Sequence, residues 1–513
     1  MKSRTQNSIK NSTIAFWGQI IVLITQFATQ TAFVKFLGAQ YVGANGLFSN
    51  LLTLLSFADL GLGGAITFAL YEPLAKGDID NIQAIMALFR KTYHAIGTAI
   101  LLMGLFFSLF IDHFINNSST IPHVQMMFIL FVINSAASYF FAYLRSLLVA
   151  NQQGYVDTLN RVGFTFMQAV LQITFLAMFR QYIIFLLLQI FFTVTSNLAL
   201  TRKTFRWFPY LRNRHLKTKI SKESLAQIRL NVVGAIASRF GIVVSNGTDN
   251  LLLSSFIGLS IVGKYTSYML IFNSSQNILN QAFSAVISSI ANFSVDRKME
   301  KEETIFFRYL YLVFGIALVG AISLQIVVQY FVVLWIGKYY LLPKVTVFLM
   351  VTIWFFNVCR YGVQGFITAH GLYWETKWKS ILEALVNLGI SLLLISTTSL
   401  GVNSVVIGTL TSVVAISLWW EPLIVKQKVR SISQSKLILF YGRGIGLYLL
   451  LSSAITIGHV SDYLLVHSFG INVLILIGVV LLTVLVYIIA NFHAVEQKYY
   501  FLLGGRLMTF KRN

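Results

Sequence analysis

The chain has 513 residues, of which 57% are hydrophobic and only 11% charged, against about 25% charged in an ordinary soluble domain. There is too little polar surface to cover a soluble particle, which excludes a secreted or cytosolic globular protein, and the mean hydropathy of +0.74 agrees. The net charge of +22 would suggest nucleic acid in a soluble protein, but here its distribution along the chain decides its meaning.

A transmembrane helix needs about 20 mostly apolar residues. That length predicts an all-α polytopic membrane protein with fourteen spans, at 12–36, 44–70, 93–111, 124–147, 159–178, 182–201, 231–255, 261–291, 309–334, 344–370, 381–398, 403–424, 439–458 and 470–491. The first is too long for a signal-peptide core and reads as a retained span. Only Phe179, Arg180 and Gln181 separate the fifth from the sixth. With the N-terminus in the cytoplasm, all but seven of the 39 Lys and Arg fall at inner ends. Five (Lys35, Arg180, Lys264, Lys338 and Lys344) fall at outer ends, and Arg239 and Arg360 lie inside spans. This is the positive-inside pattern, so the surplus charge reports topology and attracts anionic lipid rather than nucleic acid. Both termini are then cytoplasmic. The longest inner loop, 202–230, carries nine basic residues and the stretch FRWFPYL, and reads as an interfacial linker. The outer loops are short, so nothing folds outside the membrane. Cys359 is the single cysteine, which excludes an internal disulfide, and the eight scattered histidines show no metal-ligand spacing.

Three motifs recur in order. Phe36–Gly43 and Phe256–Gly263 both read F-[LI]-G-x-x-x-V-G, 220 residues apart. Arg90–Gly97 and Arg308–Gly315 read R-x-x-Y-x-x-x-G, and Tyr155–Arg161 and Tyr373–Lys379 read Y-x-[DE]-T-x-x-[RK], both 218 apart. The chain is therefore two six-span halves and a terminal pair: an N-lobe at 1–201, the linker 202–230, a C-lobe at 231–424, and the last two spans with a cytoplasmic tail at 425–513. Six is even, so the halves enter the membrane the same way up, as parallel repeats with a substrate path between them.

The first two spans of each half carry polar stripes. At about 100° per residue, Ser12, Gln19, Gln26 and Gln30 share an arc of about 40°, and Asn45, Ser49, Ser56 and Asp59 one of about 80°. Asn231, Ser238, Arg239, Ser245, Asn246, Asp249 and Asn250 share about 140°, and Asn273, Asn277, Asn280 and Ser284 about 60°. Span ten adds Asn357, Arg360, Tyr361, Gln364 and Thr368. Such residues face protein or water. A hydrated cavity explains all the stripes at once, while interhelical hydrogen bonding explains any single one. Intramembrane charges cost a few kcal/mol each on insertion scales, so Arg239, Asp249, Asp59 and Arg360 need either a function or a counter-charge. Arg239 and Asp249 stand about 15 Å apart along one helix. Glu383, Glu421, Arg145, Arg161 and Arg443 lie near inner ends, where snorkelling accounts for them. The run Leu60–Gly64 lacks the length and lysine of a phosphate loop.

The N-terminal stretch NSTIAFWGQIIVLITQFATQTAFVKFLGAQYVGANGLFSNLLTLLSFADLGLGGAITFALYEPLA resembles the Wzx-type oligosaccharide flippases of the multidrug, oligosaccharidyl-lipid and polysaccharide exporter superfamily. The F-[LI]-G-x-x-x-V-G turn, SFADLGLG and LYEPLA carry the resemblance. It implies a bacterial cytoplasmic-membrane protein that is not an enzyme and has no cofactor. Its lobes would rock around a cationic cavity and pass undecaprenyl-diphosphate-linked sugar repeats from the inner to the outer leaflet, for a capsule, O-antigen or exopolysaccharide. Polysaccharide polymerase and glycosyltransferases would be its neighbours in that pathway. Arg239, with Arg360 second, would grip the diphosphate, and Asn246, Asn273, Asn277, Gln19 and Gln26 would meet sugar. Asp59 and Asp249 would couple transport to protons or sodium. Three rivals remain. A cation-coupled multidrug exporter of the same fold predicts a carboxylate-rich aromatic pocket. A peptidoglycan-precursor (lipid II) flippase has the same physics with another sugar. A membrane glycosyltransferase or polymerase needs a larger outer loop than this chain has.

Overall fold

The computed structural model describes residues 4–56, 62–116, 121–212, 247–295, 299–370, 372, 374–428, 432–492 and 494–500. Its regular structure there is entirely helical, as lipid demands of a chain with no closed barrel. The helices are α1 (Arg4–Phe36), α2 (Ala39–Leu55), α3 (Leu62–Lys76), α4 (Ile79–Ser108), α5 (Val124–Tyr139), α6 (Tyr143–Ala150), α7 (Gly154–Phe179) and α8 (Tyr182–Trp207). A helical stretch at 247–256, here α9, follows. Then come α10 (Leu259–Val295), α11 (Met299–Ile336), α12 (Lys344–Ala369), α13 (Lys377–Thr397), α14 (Val402–Ser412), α15 (Leu418–Lys428), α16 (Gln434–Ile457), α17 (Val460–Val466) and α18 (Phe469–Ala490).

Among the described residues eight helices are long and apolar enough to cross a membrane, or nine when α5 and α6, bent by 41°, count as one span. The protein is a polytopic membrane protein. The fifth and sixth spans are separate helices: Arg180 takes a left-handed backbone (φ 52°) between α7 and α8, and the buried amide of Gln172 donates to Phe185 O at 2.9 Å to tie them together. The second predicted span is not continuous. α2 ends at Leu55, where the Ser56 hydroxyl donates back to Leu52 O. Residues 57–61, with Asp59, lie outside the described residues, as does most of the linker and of span seven (213–246).

The chain forms two compact units, Met1–Ser267 with Ile395–Gly401, and Tyr268–Leu394 with Val402–Asn513. The division falls within α10, so the start of that helix belongs with the first half. The duplicated F-[LI]-G-x-x-x-V-G turns explain why. Gly38 and Gly258 both take positive φ, 85° and 124°, a conformation that favours glycine. Their amides cap α1 and α9 in the same way, Gly38 N donating to Phe33 O at 3.1 Å and Gly258 N to Leu253 O at 2.9 Å. Five residues on, the last glycines of the two motifs meet reciprocally. A methyl on Gly43 would overlap the Leu259 carbonyl, and one on Gly263 would overlap the Ala39 carbonyl. Residue i of one copy touches j of the other and j touches i, which is the signature of a two-fold relation. Backbones can approach this closely only where both positions lack a side chain.

The third motif keeps its acid in both halves: Asp157 lies 3.6 Å from Arg145, and Glu375 lies 3.0 Å from Lys428. Arg145 thus has a carboxylate partner as well as Asn197, to whose Oδ1 it donates at 3.0 Å. FRWFPYL closes the C-terminal end of α8 with a buried Phe208 and a short turn at Pro209–Arg212, on which the Gln83 side chain of α4 docks through Tyr210 O.

Replacing Gly43 or Gly263 by Ala is expected to force α2 and α10 apart and lower the melting temperature and folded yield in detergent. Gly389, in α13 with nothing within 4 Å of a new Cβ, is the control: Gly389→Ala should be neutral or stabilising by up to about 1 kcal/mol. Equal behaviour of the three variants would show that the reciprocal contact does not hold the helices.

Candidate functional site

In the second unit, α12 carries its polar stripe into a buried ionic cluster. Arg360 donates to Glu421 Oε1 at 2.6 Å and Oε2 at 3.1 Å, to Glu383 Oε1 at 3.2 Å, and to Asn357 Oδ1 at 3.1 Å. Lys379 Nζ lies 2.7 Å from both Glu383 and Glu421. The Gln364 amide approaches Glu421 at 3.4 Å. The side chains of Lys379 and Glu421 are 4% and 3% exposed. Two cations and two anions cancel, which is how a buried charge becomes tolerable.

This corrects two expectations. Glu383 and Glu421 do not snorkel to an inner interface but are enclosed counter-charges. Arg360 has its guanidinium committed to two carboxylates, so the counter-charge explanation applies to it and it is not free to hold a diphosphate. Lys379 and Glu383 are four residues apart on α13, a spacing legible in sequence. The reach to Glu421 depends on a π-turn at Val413–Ser417 between α14 and α15, which inserts a residue and turns the face of the following helix.

α10 separates polar from apolar on its two sides. Asn273, Asn277 and Asn280 are exposed. On the opposite side, Ser275, Ile278 and Leu279 form one wall of an apolar cavity of about 670 Å³. Its other walls are α11 (Ile316, Val319 and neighbours), Trp354 of α12, and Val484, Tyr487 and Ile488 of α18. Trp354 donates its indole N–H to Ser275 Oγ at 2.8 Å, and Tyr487 OH donates to Tyr311 O at 2.7 Å. These bonds satisfy the polar atoms of an otherwise greasy lining.

The remaining stripe residues divide. Gln26 is exposed and Gln19 half-buried. Gln30 donates to Ser267 Oγ at 3.1 Å, and Asn45 accepts from Tyr182 OH at 3.0 Å, so these two are interhelical fastenings. Asp249 is buried in α9, where its Oδ2 accepts from Tyr265 OH at 3.0 Å. Arg239, Asn246 and Asp59 lie outside the described residues. Among the described residues no group of His, Cys, Asp and Glu could hold a metal.

No family model matches the chain, and no curated protein does. Solved structures do match. A multidrug resistance MATE family transporter of the MOP superfamily, inward-facing, aligns with TM-score 0.63 at 16% identity, over 82% of this chain and 99% of that one. The lipid II flippase MurJ, inward closed, aligns with TM-score 0.67 at 13% identity, over 94% and 99%. A Vibrio cholerae MATE transporter aligns with TM-score 0.56 at 11% identity, over 84% and 99%. The chain has the fold of these membrane transporters. At such identities the likeness is one of architecture, and it agrees with the all-helical, polytopic membrane fold expected from sequence.

Glu421→Gln leaves Arg360 and Lys379 facing one carboxylate in a buried site and is expected to cost about 3–5 kcal/mol. Glu375→Gln, which breaks the half-exposed pair with Lys428, should cost less than about 1 kcal/mol. Unfolding in detergent compares them, and a Glu421→Gln protein as stable as the Glu375→Gln one would refute the cluster's structural role.

Proposed function

We propose that this chain is a flippase for a polyprenyl-diphosphate-linked oligosaccharide, moving the sugar head from the inner to the outer leaflet of the bacterial cytoplasmic membrane by alternating access of its two halves. The observation that carries the reading is the division of α10. Exposed amides on one side offer donors and acceptors for sugar hydroxyls, and an apolar cavity on the other fits a hydrocarbon tail. An amphiphile whose tail stays in lipid while its head follows a wet path avoids most of the cost of stripping water from the head. Asn273, Asn277, Gln19, Gln26 and Asn246 would meet the sugar. Arg239 would hold the diphosphate with its forked donors. Asp249 and Asp59 would be the groups through which a proton or sodium gradient acts.

Against a multidrug exporter stand the terminal helices. α18 supplies a wall of the apolar cavity, which gives a lipid tail a place beside the polar face of α10. A lipid II-type head would use the same path. The two flippase readings differ only in the sugar.

Vesicles containing the purified protein and a fluorescent undecaprenyl-diphosphate oligosaccharide should expose the label to an outside quencher faster than empty vesicles. Arg239→Gln should slow this at least tenfold at equal protein content. An unchanged rate would remove Arg239 from the site. Drug efflux without lipid translocation would replace the flippase by the exporter, and translocation of lipid II alone would fix the second sugar class.

A further inference from the structure

The first unit holds a pair of adjoining cavities, of about 530 and 580 Å³, lined by none of the residues proposed above to meet the sugar or the diphosphate. They share Arg90 and His94 of α4, Tyr143 of α6, Phe205 of α8 and Leu211. Gln83, Ala87, Arg90, Lys91 and His94 project from one face of α4, at the i, i+4, i+7 spacing. No carboxylate lines either cavity. Arg90 and Lys91 are exposed, so their charge is available to a ligand. Met86, Leu144 and Phe205 lie beside them. Span three is predicted to begin at residue 93 and span six to end at 201, which sets the cations at the inner headgroup level.

The duplication supplies an internal comparison. Arg90 and Arg308 occupy the same place in R-x-x-Y-x-x-x-G. In the second half the chain covers its own arginine. The Arg308 guanidinium lies 3.6 Å from the centre of the Tyr499 ring, and Tyr500 OH donates to Arg308 O at 3.0 Å. Tyr311, three residues on, stacks against Tyr500 with ring centres 5.7 Å apart. In the first half the equivalent arginine opens onto the cavities instead.

We propose that the space between α4, α6 and α8 is a binding site for the phosphate of a resident anionic phospholipid. Arg90 and Lys91 hold the phosphate, the Tyr143 hydroxyl is a further donor, and the acyl chains lie along the apolar residues beside them. Phosphate is the shared chemistry of lipid and soluble candidates. The apolar wall next to the cations favours an amphiphile over a free phosphate. The site shares no residue with those proposed for the lipid-linked sugar and does not depend on which sugar, if any, is carried.

The test is equilibrium binding of fluorescent phosphatidylglycerol to the full-length protein in neutral detergent, with phosphatidylcholine as reference. Wild type should prefer phosphatidylglycerol at least tenfold. R90Q/K91Q should weaken phosphatidylglycerol roughly twentyfold or more, since each cation near a lipid surface is worth about fivefold, and weaken phosphatidylcholine, whose phosphate is offset by its own choline cation, by much less, so that the preference is lost. R90K/K91R should retain most of the preference. Ala87→Phe, which fills the cavity with both charges in place, should also weaken binding, and it guards against a folding defect in the charge variant. Millimolar glycerol 3-phosphate should not displace the lipid. Four results would overturn the proposal: no preference in wild type, a preference that survives both R90Q/K91Q and Ala87→Phe, displacement by glycerol 3-phosphate, or tighter Arg90-dependent binding of undecaprenyl phosphate than of phosphatidylglycerol. The last would make the cavity a port for the carrier lipid. The readout is binding, so failure of translocation in vesicles leaves it unaffected.

Discussion

Helices in lipid gain nothing from hydrophobicity when they associate, because acyl chains are as apolar as leucine. What remains is close packing and short polar contacts, and Gly43 and Gly263 let α2 and α10 touch backbone to backbone. The polar contacts of the first unit gather around that approach. Gln30 reaches Ser267, Asn45 reaches Tyr182, and Asp249 reaches Tyr265. They join α1 to α10, α2 to α8 and α9 to α10, so they fix the neighbours of the two touching helices. A contact made by the same motif with its own copy also explains why the motif survives in both halves while most of the sequence around it has diverged.

The chain uses its positive charge in two physically different ways. Inside the second unit Arg360 and Lys379 are matched by Glu383 and Glu421, and the group as a whole is neutral. Such charges hold α12, α13 and α15 in register and have nothing left for a ligand. Outside that cluster the basic residues outnumber the acids, although some, such as Arg145 and Lys428, have a carboxylate partner. Around Arg90 and Lys91 that surplus collects beside a pocket with apolar walls. Counting charges within spans does not separate these roles, because the separation depends on what lies across from each side chain.

The helical architecture, the repeats and the α7–α8 break were legible because each is written within a short stretch of chain. Apolar length fixes a span, glycine at a fixed offset fixes a turn, and Arg180 between two apolar runs marks a boundary. The ionic cluster was not legible. Its members sit at positions 360, 379, 383 and 421 on three helices, and a π-turn at Val413–Ser417 decides where the last one points. The stripes were half legible. Periodicity shows that Asn45 and Asn277 each lie on a polar face, but not that the first meets a tyrosine and the second stands exposed. Asp59, Arg239 and Asn246 fall outside the described residues, and their place in the site rests on the sequence pattern.

Cys359, the only thiol in 513 residues, is wholly enclosed in α12 beside the cluster. So placed, it is expected to react with maleimides far more slowly than an exposed thiol. A cysteine introduced at an exposed amide such as Asn277 would therefore be the sole attachment point for a spin or fluorescent probe. Two of them would allow distances between helices to be measured without first stripping the chain of its own sulfur.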